Sequence, residues 1–219
     1  LEYISDNFNR QMFDRLVLPW IQKQNKKVNM IDLCACFGNT TMATAYGMSY
    51  REICDNWKDD TTCMTINKKR SFDTKITGID ISQSAMDYGK KAGLFDDIIV
   101  ADLNDTSLVQ EQKAVDAAMS DCDFLLSTAA LVYLEMDTID RIVKAFASKP
   151  SEGYALVNFL NPFALEKADA TKCKLLEHLE FVGSMATRHR RMSKLEQENY
   201  PGEEWAILEI WVLKRKASA

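Results

Sequence analysis

Apolar and polar positions along the chain follow two periods, one typical of amphipathic helices and one typical of buried strands. Residues 6–24 carry apolar side chains at helical spacing, and Asp6 is the expected N-cap of this helix. Residues 28–35 form a compact apolar run that predicts a buried strand. Further strands are predicted at residues 75–82, 97–103, 122–127, 154–160, 181–188 and 205–214. Further helices are predicted at residues 39–46, 49–57, 83–92, 107–119, 137–147 and 163–179.

The order of these elements predicts the fold class. Strands alternate with helices to about residue 180, which predicts an α/β fold: a doubly wound, mostly parallel seven-stranded sheet with helices on both faces. No helix is predicted between the last two strands, so we expect them to form an antiparallel C-terminal pair. The length of 219 residues fits a single domain, in which residues 1–27 form an N-terminal helical lid or cap and residues 48–74 form an insertion.

Two segments of this domain keep alternative interpretations. Tyr3, Phe8 and Phe13 are candidates for a lid over a binding site, but the same helix could simply pack on the sheet. Residues 58–74 are polar and have no clear period. We favour a surface insertion for them over a functional excursion.

Three strand ends carry residues suited to an adenosine ligand, because ligands of open parallel sheets bind at the carboxyl ends of the strands. The first strand ends in Asp32-Leu33-Cys34-Ala35-Cys36-Phe37-Gly38, whose small residues let the backbone approach a ligand closely. Asp80 ends the second strand, where a carboxylate can accept hydrogen bonds from ribose hydroxyls. Asp102 ends the third strand, where it can accept a hydrogen bond from the adenine amino group.

This arrangement resembles the class I S-adenosylmethionine-dependent methyltransferases, whose first motif is an acidic residue followed by glycines at three alternate positions. Asp32 matches the acidic residue and Gly38 the third glycine, whereas Cys34 and Cys36 occupy the first two glycine positions. The resemblance implies S-adenosyl-L-methionine as cofactor and S-adenosyl-L-homocysteine as product. The cofactor-binding residues that it implies are Asp32, Cys34, Ala35, Cys36, Gly38, Asn39, Asp80, Ile81, Asp102, Leu103, Ser127 and Thr128.

The resemblance also implies a role for each part of this set. The loop backbone would contact the methionine portion, Asp80 the ribose, and Asp102 with Leu103 the adenine. Ser127 and Thr128 would face the cofactor from the far side. Cysteine has a Cβ, so a left-handed backbone at positions 34 and 36 would cost on the order of 1 kcal/mol each. Either both cysteines adopt ordinary angles or the loop is reshaped.

Three residues are candidates for acceptor binding or catalysis, each with a structural alternative. Tyr133 follows the fourth strand and either lines the acceptor pocket or is a packed aromatic residue. Asn161 begins an Asn-Pro-Phe string similar to a motif of methyltransferases that act on planar amines, but it follows the fifth strand instead of the fourth, so we favour a strand end and helix start. His189 lies in the basic run 188–191, which is either an anion site with His189 as base or a solvated strand edge.

Composition and charge limit the partners. A net charge of −5 disfavours nucleic acid, whose phosphates require clustered Lys and Arg. No apolar run approaches the roughly 20 residues of a membrane span, and residues 1–9 lack the apolar stretch of a signal peptide. The 6 cysteines are scattered, which is typical of reduced thiols and predicts a cytoplasmic protein. No Cys or His pair has the spacing of a metal site, so we expect no metal.

The function that we expect is methyl transfer to a small-molecule acceptor, because the chain is near the minimum size of the methyltransferase fold. A protein or RNA acceptor is the first alternative, supported by the basic run 188–191. A non-catalytic binding or scaffold protein with a degraded loop is the second, and a nicotinamide dehydrogenase fits the loop spacing and final strands less well. The sequence indicates neither the acceptor nor the methylated atom nor the oligomeric state.

Overall fold

Residues 5–56 and 68–216 are described by a computed structural model of the chain. Its strands are β1 (Val28–Leu33), β2 (Thr74–Asp80), β3 (Asp97–Val100), β4 (Phe124–Ser127), β5 (Tyr154–Asn161), β6 (Leu179–Arg191) and β7 (Trp205–Arg215). Its helices are α1 (Ser5–Met12), α2 (Leu18–Ile21), α3 (Asn39–Thr44), α4 (Tyr50–Asn56), α5 (Gln83–Lys91), α6 (Val109–Asp121), α7 (Met136–Ala147), α8 (Leu165–His178) and α9 (Lys194–Asn199). Tyr3 and residues 57–67 of the predicted insertion lie outside the described residues.

The seven strands form one sheet in the order β3-β2-β1-β4-β5-β7-β6. Strands β1 to β5 pair in parallel, whereas β7 is antiparallel to both β5 and β6. The order reverses at β1, which has β2 on one side and β4 on the other. The predicted fold class is therefore confirmed, and the reversal marks the place where an open α/β sheet binds ligands.

Two details of the sequence prediction are wrong. A short helix, α9, lies between β6 and β7, where we predicted none. Its start has a capping box in which the side chains of Ser193 and Glu196 each bind the backbone N–H of the other residue. The third strand ends at Val100 instead of residue 103, so Asp102 and Leu103 lie in the turn that follows it.

The N-terminal helix predicted at residues 6–24 consists of three helical parts. A π-helical turn, Phe13–Val17, joins α1 to α2. Pro19 lies in the first turn of α2 and has no N–H to bond to the preceding turn, which explains the wider turn before it. Phe13 is completely buried, with its ring centroid 5.7 Å from that of Phe72 and 5.3 Å from that of Phe124. Phe13 is thus a core residue, as expected for a helix that packs on the sheet.

Helices cover both faces of the sheet. Alternate residues of a strand point to opposite faces, so Met30 belongs to one apolar layer and Ile31 to the other. The first layer packs α1, α3 and α5 on the sheet, and the second packs α6, α7 and α8. Among the described residues, no helix combines the length and the apolar character needed to cross a membrane.

A buried arginine ties the last strand to the second layer. Arg215, at the end of β7, is 4% exposed. Its Nε donates to the Phe146 carbonyl at 2.7 Å, its Nη1 to the Ser151 carbonyl at 3.1 Å, and its Nη2 to the Cys122 carbonyl. One side chain therefore supplies hydrogen-bond donors to the end of α7, the loop after it and the segment before β4.

We expect Arg215→Met to lower the free energy of unfolding by about 3 kcal/mol, because it leaves buried carbonyls without their donors. Urea denaturation measures this loss. Lys214→Met is the matched control: Lys214 Nζ lies 3.4 Å from Glu180 Oε1 in a partly exposed ion pair, so its loss should cost less than about 1 kcal/mol. Equal losses in the two variants would contradict the role given to Arg215.

Candidate functional site

The loop between β1 and α3 has a left-handed backbone at three alternate residues. The φ angles are 56° at Cys34, 48° at Cys36 and 71° at Gly38. These are the positions at which the sequence pattern calls for glycine. Of the two alternatives left by the sequence, ordinary angles at the cysteines are therefore wrong: the loop has glycine-type angles although two of the three residues carry a Cβ.

Two carboxylates hold this loop in place. Asp80, at the end of β2, accepts a hydrogen bond from the Cys36 N–H through Oδ2 at 2.9 Å and one from the Ser82 N–H through Oδ1 at 2.8 Å. Asp32, at the end of β1, is buried and accepts from the Thr41 hydroxyl at 2.7 Å. The bond from Cys36 to Asp80 offsets strain at that cysteine, because a charge-assisted bond is stronger than a neutral one, and the bond from Thr41 to Asp32 joins the start of α3 to β1.

Both cysteine side chains stay protonated at neutral pH. Burial, with smaller contributions from Asp80 and Asp32, raises the pKa of Cys34 to about 12. Burial also raises the pKa of Cys36. A hydrogen bond from the Phe37 N–H lowers this pKa, and the negative charges of Asp80 and Asp32 raise it. A thiol is a metal ligand or a nucleophile only as the thiolate, so these cysteines act here as small, uncharged groups.

A cavity of about 680 Å³ lies at the carboxyl ends of β1, β4 and β5. The cysteine loop forms one wall, and α1 and α4 form another. Two bonds join α1 to the start of α4 and to the segment before it, from Tyr50 N to Asn7 Oδ1 at 3.1 Å and from Arg10 Nη1 to the Gly47 carbonyl at 2.5 Å. The lining residues are Asn9, Cys34, Ala35, Cys36, Phe37, Asn39, Thr40, Tyr50, Ile53, Cys54, Thr128, Ala129, Tyr133, Asn158, Leu160, His189, Arg190 and Leu208.

The cavity brings together part of the predicted site. Of the predicted residues, it is lined by Cys34, Ala35, Cys36, Asn39, Thr128, Tyr133 and His189. Tyr133 is 76% exposed and therefore lies at the rim instead of packing in the core. Asn161 is not among the lining residues, and its Nδ2 lies 3.3 Å from Glu209 Oε2, the partner to which it donates.

The other predicted cofactor residues lie around the cavity. Asp32 is buried in β1 and Gly38 is buried in the loop, just before α3. Ser127 is buried at the end of β4. Asp80 and Ile81 lie at the end of β2, where Ile81 is 65% exposed. Asp102 follows β3 and accepts from the Asn104 N–H at 3.0 Å, while Leu103 is buried. A surface strip of Asp80, Ile81 and Asp102 thus continues from the loop along neighbouring strand ends.

Several lining residues were not predicted from the sequence. Asn9, Tyr50, Ile53 and Cys54 come from α1 and α4, two helices that the sequence predicted without assigning these residues to the site. Asn158 lies inside the apolar strand β5 and is buried. A polar residue within a buried apolar strand was the available signal for Asn158, whereas nothing in the helical pattern of residues 6–24 distinguishes Asn9.

Two residues of β6, His189 and Arg190, line the cavity and together with the partner of Arg190 carry little net charge. Burial, together with the positive charge of Arg190, lowers the pKa of His189, which favours the neutral imidazole. Arg190 forms two bonds with the Glu196 carboxylate, at 2.8 and 2.6 Å. Arg188 and Arg191 lie over the ring of Trp205, with guanidinium carbons 4.9 and 5.1 Å from its centroid. All three arginines of the basic run thus lie over aromatic rings, and Arg190, over Phe163, is ion-paired as well.

We expect Cys34→Gly and Cys36→Gly to change the free energy of unfolding by less than about 1 kcal/mol, because relief of backbone strain offsets the greater freedom of glycine in the unfolded chain. Gly38→Ala should instead lower it by about 2 kcal/mol or more, since its Cβ would collide with Leu94. Gly93→Ala, at φ 77° with open space around it, is the control for backbone strain alone. Urea denaturation compares the four variants, and equal costs for the two glycines would contradict this account.

His189 should make the protein less stable in mild acid. Its pKa is lowered in the folded state, so the unfolded chain binds more protons as pH falls below the ordinary histidine value of about 6.5. Stability is thus highest above that value and decreases as pH falls toward the folded-state pKa. His189→Gln should flatten this part of the stability–pH profile measured by urea denaturation. Parallel profiles for the two proteins would show that His189 titrates alike in both states.

Comparisons with known proteins give the same fold. The sequence matches no family profile and no curated protein. A methyltransferase dependent on S-adenosylmethionine from Archaeoglobus fulgidus is similar in structure at a TM-score of 0.51 and 10% identity, over 96% of this chain and 94% of that one. Magnesium protoporphyrin IX methyltransferase from Synechocystis, with bound S-adenosylhomocysteine, has a TM-score of 0.52 at 12% identity, over 98% of this chain and 86% of that one.

A third similar structure concerns the conversion of a disulfide bond into a thioacetal group during echinomycin biosynthesis. Its TM-score is 0.54 at 12% identity, over 92% of this chain and 82% of that one. Such low identities establish architecture and leave chemistry to the site itself. The chain has the fold of the class I S-adenosylmethionine-dependent methyltransferases.

Proposed function

We propose that this protein is an S-adenosylmethionine-dependent methyltransferase that acts on a small molecule. The observation that carries the proposal is the left-handed loop at Cys34, Cys36 and Gly38, which borders a cavity of about 680 Å³ at the reversal of the strand order. A nucleotide-like ligand and a second small ligand fit side by side in such an arrangement.

The residues present are suited to the cofactor. Each oxygen of the Asp80 carboxylate accepts one backbone bond and keeps a further lone pair for a ribose hydroxyl. Ile81 offers an exposed apolar surface to the adenine, and Asp102 an acceptor for its amino group. The hydroxyl of Ser127 is buried at the end of β4 without a partner among the described residues. We propose that these groups, with the loop backbone at the methionine end, hold S-adenosyl-L-methionine.

The chemistry asks little of the protein beyond position and the exclusion of water. When bound, S-adenosyl-L-methionine would supply a methyl group on a sulfonium, which is already activated for transfer. The cavity walls keep water away and orient the acceptor for in-line approach. His189 lines the cavity as a neutral imidazole and could accept the proton of an acceptor that must lose one. We propose that the acceptor passes Tyr133, at the rim, when it enters the cavity.

The walls also support a small acceptor over a macromolecular one. Helices α1 and α4 contribute Asn9, Tyr50, Ile53 and Cys54 to the walls of the cavity. We propose that residues 1–27 act as the cap of a single domain and that part of the 48–74 insertion belongs to the acceptor site. An RNA or protein acceptor would need a broad open surface. Retention on RNA that is lost when Arg188 and Arg191 are neutralised would favour that alternative instead.

A binding experiment tests this proposal. We expect both S-adenosylmethionine and S-adenosylhomocysteine to bind in calorimetric titrations. Asp80→Ala should weaken binding roughly 100-fold, because two hydrogen bonds to a charged group are lost and the loop loses its tie to Cys36.

Asp87→Ala is the matched control, since Asp87 is exposed on α5 and bonds only with Gln83 among the described residues. Its affinity should equal that of the wild-type protein. Absence of binding by both compounds at millimolar concentration would contradict the proposed function. Binding without turnover over a broad acceptor panel would favour a non-catalytic protein.

A further inference from the structure

Asn158 of β5 lies at the floor of the cavity, beyond the end of the neighbouring strand β4. Strand β4 ends at Ser127, which pairs with Val157 of β5. Asn158 is therefore the first residue of β5 beyond the end of its parallel neighbour, and on the other side it pairs with Ile210 of β7. It lines the cavity although it is only 1% exposed.

Within the described part of the chain, the side chain of Asn158 is hydrogen-bonded at its nitrogen but not at its oxygen. Its Nδ2 donates to Asn9 Oδ1 at 2.8 Å, in a buried bond between β5 and α1. Its Oδ1 is buried and accepts no hydrogen bond from the described residues. A buried amide oxygen without a donor is costly, and a ligand in the cavity that brings an N–H or O–H group would remove that cost.

The surroundings of Asn158 indicate an acceptor without charge. Among the described residues that line the cavity, none has a carboxylate to bind a cation. The one permanent positive charge in the lining, Arg190, is already paired with Glu196 through two bonds. Both loop cysteines are protonated, and the remaining walls are amide, hydroxyl, aromatic and aliphatic groups together with the Cys54 thiol and the His189 imidazole.

We propose that Asn158 determines the acceptor specificity of the site: its carbonyl oxygen accepts a hydrogen bond from an N–H or O–H group of an uncharged small molecule. Asn9 is the positioning residue, because its Oδ1 fixes which end of the Asn158 amide faces the cavity. This inference rests on the proposed methyl transfer for its biological meaning. The preference for a hydrogen-bond donor follows from the cavity alone.

Two probes of nearly equal shape test this preference. Phenol presents an O–H group where toluene presents a methyl group, and phenol is uncharged at neutral pH. Both are titrated by ligand-observed NMR, with and without S-adenosylhomocysteine. We expect the wild-type protein to bind phenol roughly tenfold more tightly than toluene, the size expected for one buried hydrogen bond.

The variants distinguish specificity from folding. Asn158→Leu should abolish or reverse the phenol preference, whereas Asn158→Asp, which keeps an acceptor oxygen, should retain it. Asn29→Leu is the control, because it makes the same substitution at the opposite end of the parallel strands, where Asn29 Nδ2 bonds with Asp121. It should retain the phenol preference as well. If Asn158→Leu fails to fold by circular dichroism, Asn9→Leu takes its place and should reduce the preference by releasing the amide.

Three results would overturn the proposal: equal binding of phenol and toluene by the wild-type protein, binding of neither, or an unchanged phenol preference in Asn158→Leu. The outcome is separate from that of the proposed function. A donor preference that depends on Asn158, without any binding of S-adenosylhomocysteine, would support the ligand site and refute methyl transfer. Binding of S-adenosylhomocysteine without the phenol preference would support the proposed function and refute the role of Asn158.

Discussion

The carboxylate of Asp80 joins the two segments on which the candidate site depends. One oxygen accepts from Cys36 in the β1–α3 loop, and the other accepts from Ser82, the N-cap of α5. The loop is strained at both cysteines, so it needs partners that make its glycine-type path the most stable one. Asp80 supplies one such partner, and it is also the residue that we propose for the ribose, so the proposed ligand contact and the order of the loop depend on one carboxylate.

The cavity is built from parts of the chain that are far apart in sequence. Strand β5 brings Asn158, α1 brings Asn9, and β6 brings His189. Strand β7 lies between β5 and β6 in the sheet, so the strand order sets the distance of β6 from the loop. The Asn9–Asn158 bond then joins the N-terminal helix to the floor of the same cavity. Helix α1 and the floor of the cavity are therefore fixed to each other at this point.

The cavity is polar but nearly without net charge. Burial keeps Cys34 and Cys36 protonated and His189 neutral, and Glu196 pairs with Arg190. Such walls suit an uncharged acceptor, because the described lining offers no carboxylate for a cation and its arginine is already paired. Selection among acceptors then falls to hydrogen bonds and shape, where a buried amide oxygen discriminates strongly.

The sequence by itself determined the architecture, since hydrophobic periodicity reports which face of each element is buried. It also predicted that Asp32, Asp80 and Asp102 lie along one edge of the sheet, because the carboxyl ends of parallel strands meet at one edge. The Ser-x-x-Glu pattern that begins α4 at Ser49 occurs again at Ser193 and would have indicated α9. Tertiary structure alone decided the left-handed angles of the two cysteines, which depend on the bond from Cys36 to Asp80 across 44 residues. It alone also placed Asn9 against Asn158 and Asn161 away from the cavity, because neighbours across 149 residues depend on how helix and sheet pack and leave no local pattern in the chain.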